Sequence, residues 1–152
     1  HLIKFLSQNG YMTCGVEPAL KNIPQIYEET NHIFEGTADD IPLDDKCVDL
    51  LVNTDVLEHI QEDLIDKVLQ EFNRVTKRGI FLVISLTDSV LDHPHGKLHI
   101  TVKPREWWLD KIYKNINGNI QQIVLHKDIL VVKIELDEII GGFMDDGTTW
   151  IF

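Results

Sequence analysis

The chain has 152 residues, 43% of them hydrophobic and 26% charged, with a formal net charge of −11. That is the size and apolar content of a single domain with one core, so residues 1–152 are read as one domain, with the tail 141–152 left without assigned structure. The acidic balance argues against a nucleic-acid partner, because binding to a phosphate backbone relies on Lys and Arg. No apolar run approaches the roughly 20 residues of a membrane span, so no membrane partner is expected, and no secretory leader pattern is visible. The two cysteines, Cys14 and Cys47, lie in apolar, strand-like segments and read as reduced buried thiols of a cytoplasmic protein.

In chain order, the apolar residues of 1–8 followed by Asn9-Gly10 read as the last part of a helix with a glycine stop. Tyr11 to Val16 is a short strand candidate, and Leu20 to Tyr27 a weak helix broken by Pro24. A short strand is expected near 32–35 and a buried one over 47–53. Ile60, Leu64, Ile65, Val68, Leu69, Phe72 and Val75 recur with helical spacing. Lys77-Arg78-Gly79 then reads as a helix end. The apolar run Ile80–Ile84 predicts a strand within 79–85, buried on both faces. Residues 86–103 form a polar loop, and Pro104 opens a helix carrying Trp107 and Trp108. These two adjacent tryptophans cannot share a helix face, so one belongs to the core and the other to a pocket or interface. Two strands near 119–126 and 129–136 form a hairpin around Lys127-Asp128. Strands alternating with helices predict an α/β, doubly wound, mostly parallel sheet that closes with an antiparallel hairpin.

Residues 36–60 say most about function. They run Gly36-Thr37-Ala38-Asp39-Asp40-Ile41-Pro42-Leu43, then a strand starting Val48-Asp49, then Asn53-Thr54 and the turn Asp55-Val56-Leu57-Glu58-His59-Ile60. A parallel strand whose carboxyl end breaks into small polar residues is where open α/β sheets bind ligands. The stretch resembles, without a gap, the central segment of class I S-adenosylmethionine (SAM)-dependent methyltransferases of the small-molecule type. In that family a Gly-Asp-Ala-Glu-x-Leu-Pro-Phe run precedes a Phe-Asp strand and a Glu-Val-Leu-Glu-His-Val turn. The resemblance extends to about residue 136, since that fold also ends in an antiparallel pair.

The family's first strand and its Asp-x-Gly-x-Gly-x-Gly loop, which cradles the methionine end of SAM, have no counterpart before residue 11. The expected fold is therefore N-terminally incomplete. In the family that strand lies in mid-sheet, so strands 11–16 and 47–52 would each expose unpaired backbone. The gap can close by direct pairing, by a strand from a second chain in a homodimer, or by an upstream segment. The last is the expectation, because the first helix begins without a start signal. Without the glycine cradle, SAM binding by this chain is expected to be weak.

The resemblance also implies the site. Glu17 would accept hydrogen bonds from the ribose hydroxyls, one per carboxylate oxygen. Thr37, Ala38 and Asp39 would lie beside the adenine, with Thr37 standing where the family usually has an acid. Asn53, Thr54 and Asp55 would floor the cofactor pocket. His59 is the candidate catalytic base toward an oxygen or nitrogen acceptor. In the subgroup that methylates ubiquinone precursors, residues at the positions of Asp55, Glu58 and His59 hold a divalent ion. The same tripeptide is common in members without one, and no metal is assigned to this chain. His93, His95 and His99 read as loop residues rather than as the zinc ligands a His-x-His pair suggests, and since the family places an acceptor-side loop here, one of them is the alternative to His59 as base.

The function implied is methyl transfer from SAM to a small-molecule acceptor. A catalytically inactive module of the same fold, binding a partner, is the alternative that Thr37 and the absent glycine loop favour. An NAD-binding Rossmann protein would share an acid after the second strand but would leave residues 36–59 and the terminal hairpin unexplained.

Overall fold

The computed structural model describes residues 2–20, 33–89, 92–93, 96–136 and 149–151. Its elements are α1 (Leu2–Gln8), β1 (Met12–Glu17), β2 (Ile33–Glu35), β3 (Val48–Thr54), α2 (Ile65–Val75), β4 (Thr76–Ser85), β5 (Asp92–His93), β6 (Gly96–Lys97), α3 (Arg105–Asn115), β7 (Gly118–His126), β8 (Ile129–Leu136) and β9 (Thr149–Ile151). β5 and β6 form a separate two-stranded ladder; the other strands form one sheet of order β2-β1-β9-β3-β4-β8-β7. β1 is parallel to β2, and β3 to β4, whereas β8 runs antiparallel to both β4 and β7. The expected α/β sheet with a closing hairpin is therefore present. The weak helix expected over 20–27 falls almost wholly outside the described residues.

The gap between β1 and β3 is closed in a way none of the three expected routes includes. Thr149–Ile151, from the tail left without structure, runs between them, parallel to both. Thr149, Trp150 and Ile151 pair with Met12, Thr13 and Cys14 on one side, and Trp150 and Ile151 pair with Leu50 and Leu51 on the other. The physical reason is the one that made a gap untenable: buried backbone N–H and C=O groups are nearly always hydrogen-bonded. Here the chain satisfies them with its own distant segment. Ile151 is level with Cys14 and Leu51. The last turn of both flanking strands, Gly15–Glu17 and Val52–Thr54, extends beyond it.

α2 begins later than its apolar period suggests. Single 3-10 turns at Leu57–His59 and Glu62–Leu64 precede it, and it ends at Val75. Lys77, Arg78 and Gly79 belong to β4 rather than to a helix end. Gly79 is there for a spatial reason: a Cβ would lie 2.9 Å from Leu50 Cδ2 and 3.3 Å from the Ile134 carbonyl oxygen. β4 buries Ile80, Leu82 and Ile84, against which α2 and α3 set Ile65, Val68, Leu69, Phe72, Trp108 and Ile112 in one core. Trp108 is the core tryptophan. Trp107 stands edge-on to it, half-buried, between the ammonium groups of Lys103 and Lys111. The two helices are tied at Asp66, which accepts from Lys111 Nζ and from Asn115 Nδ2, each at 2.7 Å.

The loop between β2 and β3 is clamped to α2 through Arg74. Its guanidinium donates to the carbonyl oxygens of Leu43 (2.7 Å) and Ile41 (2.9 Å), to Asp45 Oδ1 (2.8 Å) and to both oxygens of Glu71 (2.7 Å each). Glu71 Oε2 accepts in turn from the Ile41 amide at 2.9 Å. Lys46 donates its backbone N–H to the Arg74 carbonyl, and Lys67 Nζ reaches Asp39 at 3.2 Å. A planar guanidinium with five donors suits a loop that presents several acceptors at once. The Arg74 hydrogen bonds hold the Glu71 carboxyl below its usual range. Hydrogen bonds from Thr37 and then Lys67 do the same for Asp39, and one from Lys111 does it for Asp66.

Two outcomes follow. Ending the chain at residue 148 removes β9 and leaves buried ladder groups unpaired on β1 and β3. Urea unfolding should then show a loss of at least about 3 kcal/mol, at ~1–3 kcal/mol for each buried group left unsatisfied; an unchanged midpoint would mean that β9 does not close the sheet. The second concerns acid. Carboxyls whose folded pKa is depressed stabilise fully above the unfolded value of about 4 and lose that contribution as pH falls through the lower folded value. Stability should therefore hold from pH 7 to about 5 and decline below about 4. Arg74→Met should cost about 2–3 kcal/mol at pH 7 and make the acid decline shallower, as chemical unfolding across pH will show.

Candidate functional site

A cavity of about 590 Å³ opens at the carboxyl ends of β1 and β3, above the end of β9. That volume is in the range of small-molecule sites. Its walls come from four segments: the end of β1, the 37–41 loop, the end of β3 with the turn after it, and Ile100 from the loop before α3. α2 closes the interior with Phe72. Most of the wall is apolar, and the polar side chains in it are Glu17, Thr37, Asp39, Asn53, His59 and Gln61.

Glu17 ends β1. Its Oε1 accepts from the Ala19 amide at 2.9 Å, closing the turn around Pro18, and Oε2 has no partner among the described residues. Thr37 and Asp40 form an isolated bridge, with the Asp40 amide donating to the Thr37 carbonyl at 3.1 Å, and this tight turn presents Thr37, Ala38 and Asp39 to the cavity. Gly36 permits the turn, since a Cβ there would sit 2.6 Å from Pro42 Cδ and 3.3 Å from the Asp40 carbonyl oxygen. The Arg74 clamp holds the far side of the same loop. Asp39, with its depressed pKa, is ionised at neutral pH.

β3 contributes Asn53, whose Oδ1 is buried without a partner. A buried acceptor left without a partner costs about 1–3 kcal/mol, and Asn53 is among the residues that line the cavity. Thr54 and Asp55 are exposed and are not among the cavity's lining residues. Asp55 instead turns the chain: its φ is +54° and its amide donates to the Val83 carbonyl at 3.0 Å. Aspartate tolerates this left-handed conformation better than most residues. That reversal carries the chain into the 57–59 turn, where Leu57 and Glu58 are buried and His59 is exposed at the cavity rim. The His59 Nδ1 lies 2.8 Å from the Leu98 carbonyl oxygen. A carbonyl can only accept, so Nδ1 carries a proton, and in the neutral ring Nε2 carries the lone pair.

The structure thus brings Glu17, Thr37, Ala38, Asp39, Asn53 and His59 to one cavity and leaves Thr54 and Asp55 beside it. Side chains of His93 and His95 lie outside the described residues. Reading the sequence missed Arg74 and Glu71, which hold the 37–45 loop, and Ile100, which walls the cavity. Glu71 and Arg74 three apart on a helix give only the signal of a surface ion pair. Neither cysteine is in a disulfide, and burial pushes the Cys14 thiol up to about 11.

Comparison with known proteins gives the family. The model of a methyltransferase domain matches residues 1–84. Comparison with curated proteins gives no match. Among solved structures, a protein from Pyrococcus horikoshii OT3 is similar with a TM-score of 0.70 at 13% identity, over 88% of this chain and 76% of that one. A SAM-dependent methyltransferase from Methanosarcina mazei gives a TM-score of 0.69 at 13% identity, over 88% and 85%. A 1,6-didemethyltoxoflavin-N1-methyltransferase from Burkholderia thailandensis, solved with 1,6-didemethyltoxoflavin and S-adenosylhomocysteine, gives 0.62 at 10% identity, over 88% and 64%. At such identities these structures speak for the fold, and the match over more than half of the sequence speaks for the family. The chain belongs to the methyltransferase-domain family.

Proposed function

We propose that the cavity binds SAM and that the acceptor is a small molecule reached past His59. The observation that carries this reading is the meeting, in one cavity, of Glu17 from β1, Asp39 from the clamped loop, Asn53 from β3 and His59 from the turn. Two carboxylates at the rim disfavour a phosphate-bearing ligand and suit the hydroxyl and amino donors of an adenosine. In this reading Glu17 accepts from the ribose hydroxyls, Thr37 to Asp39 lie along the adenine, and the orphan Oδ1 of Asn53 accepts a donor of the cofactor. SAM brings an already activated sulfonium methyl group, so the protein's contribution is positioning. The Nε2 lone pair of His59 is then placed to take a proton from an oxygen or nitrogen acceptor. A small acceptor is supported by the volume of the cavity, and the Burkholderia thailandensis enzyme acts on one. A cytoplasmic setting is supported by the free thiols. No described helix is long and apolar enough to cross a membrane.

A second reading has a specific observation behind it. Mid-sheet, where the family resemblance puts a strand leading into a glycine-rich loop, this chain has β9. With Thr37 in place of an acid, that favours a module of the same fold that has lost catalysis.

Titration with S-adenosylhomocysteine, followed by calorimetry or ligand-observed NMR, separates the two. We expect weak binding, with a dissociation constant above about 10 μM, and a further loss of about tenfold or more, at 1.4 kcal/mol per decade, in Glu17→Ala. No binding at any accessible concentration favours the inactive module. Binding untouched by Glu17→Ala contradicts the placement of the ribose.

A further inference from the structure

Glu58 is fully buried, which charged side chains almost never are unless paired. Its Oε1 accepts from the Ser85 amide at 3.1 Å, and its Oε2 has no partner. The backbone around it is tied to a segment some forty residues away. The Glu58 carbonyl accepts from the amides of Ile100 (2.9 Å) and Thr101 (3.0 Å), and Thr101 Oγ1 donates to the Ile60 carbonyl at 2.6 Å. This zipper sets the His99 ring edge-on to His59, with centroids 4.9 Å apart and planes at 87°. His99 Nδ1 lies 2.6 Å from the Thr87 carbonyl oxygen, as His59 Nδ1 does from Leu98 at 2.8 Å. In the neutral form of each ring Nε2 is then the nitrogen left to ligate.

One ligating atom from each of Glu58, His59 and His99 lies within 4.8 Å of the others. The group thus joins two imidazole nitrogens to an oxygen of a buried carboxyl. Two imidazoles and a carboxylate match the ligand preference of Zn²⁺ and its neighbours, whereas Mg²⁺ and Ca²⁺ call for oxygen ligands throughout. An Nδ1–H held by a backbone carbonyl is how metal-binding histidines are fixed in tautomer and orientation.

We propose that Glu58, His59 and His99 form a site for one divalent transition-metal ion. The ion fastens segment 98–101 to the turn after β3. Because His59 and Ile100 both wall the cavity, it also fixes the cavity's acceptor-side lip. The ligand set differs from the one that resemblance implies: Asp55 is exposed, in left-handed backbone, and stands outside the group, while His99 enters from the loop before α3. An ion on His59 commits the lone pair that would otherwise serve as a base. The two roles are exclusive, and the site is tested by binding alone, independently of methyl transfer.

The full chain, freed of metal with a chelator, is titrated with Co²⁺ while the visible d–d bands are recorded, and then with Zn²⁺ in competition. One ion per chain is expected, with intense bands of a low-coordinate site that Zn²⁺ abolishes. His99→Ala and His59→Ala should each weaken binding by at least about tenfold, and Asp55→Asn should leave it unchanged. Glu58→Gln should also weaken it, and should this buried change unfold the chain, the two histidine variants decide. Absence of stoichiometric binding, retention of full affinity in His99→Ala, or loss of binding in Asp55→Asn would overturn the proposal.

Discussion

The structure depends on continuity of backbone pairing between β1 and β3. The cavity has one wall on each side of that seam: Glu17 and the 37–41 loop belong to the β1–β2 side, and Asn53 and His59 to the β3–β4 side. β9 joins the two, with three residue pairs on one side and two on the other. Because the described pairing stops level with Cys14 and Leu51, the last residues of β1 and β3 splay from a common base and enclose space instead of bonding to each other.

The second constraint is the loop that carries Thr37 to Asp39. The connection between β2 and β3, residues 36–47, is rich in Asp and has little apolar surface of its own with which to hold a shape. It is held instead from below by the Arg74 guanidinium and the Glu71 carboxylate, and at its neck by the contact of Gly36 with Pro42. Ion pairs on a surface contribute little. This one is half-buried and acts chiefly through main-chain carbonyls, so its contribution is geometric: it sets where the loop sits relative to β3.

Much of this was legible from the residues. The unbroken apolar run Ile80–Ile84 read as a strand, which it is, although Ile80, Leu82 and Ile84 are buried and Phe81 and Val83 on the other face only partly so; Lys127-Asp128 between two alternating runs read as a hairpin turn, and β7 and β8 pair around it. The strand ends that meet at the cavity followed from the Gly36–Leu43 and Asp55–Ile60 segments. What could not be read was non-local. Thr149–Ile151 has no periodicity of its own and becomes a strand because two edges require one. Lys77-Arg78-Gly79 has the composition of a helix stop, yet Gly79 is glycine because Leu50 and the Ile134 carbonyl crowd it. Arg74 looks like a surface cation until the loop thirty residues earlier is seen against it. Glu58 looks like a solvated acid, and its burial appears only once residues 98–101 are laid across the turn.

The central claim is that one ligand site is built from both sides of the seam. Hydrogen–deuterium exchange with and without saturating S-adenosylhomocysteine tests it most directly. The account predicts that amides near Glu17, at Ala38–Asp40 and at Asn53–Asp55 gain protection together over one titration, while β7 and the outer part of β8 do not change. Protection confined to one side of the seam, or titrating at different ligand concentrations on the two sides, would contradict it.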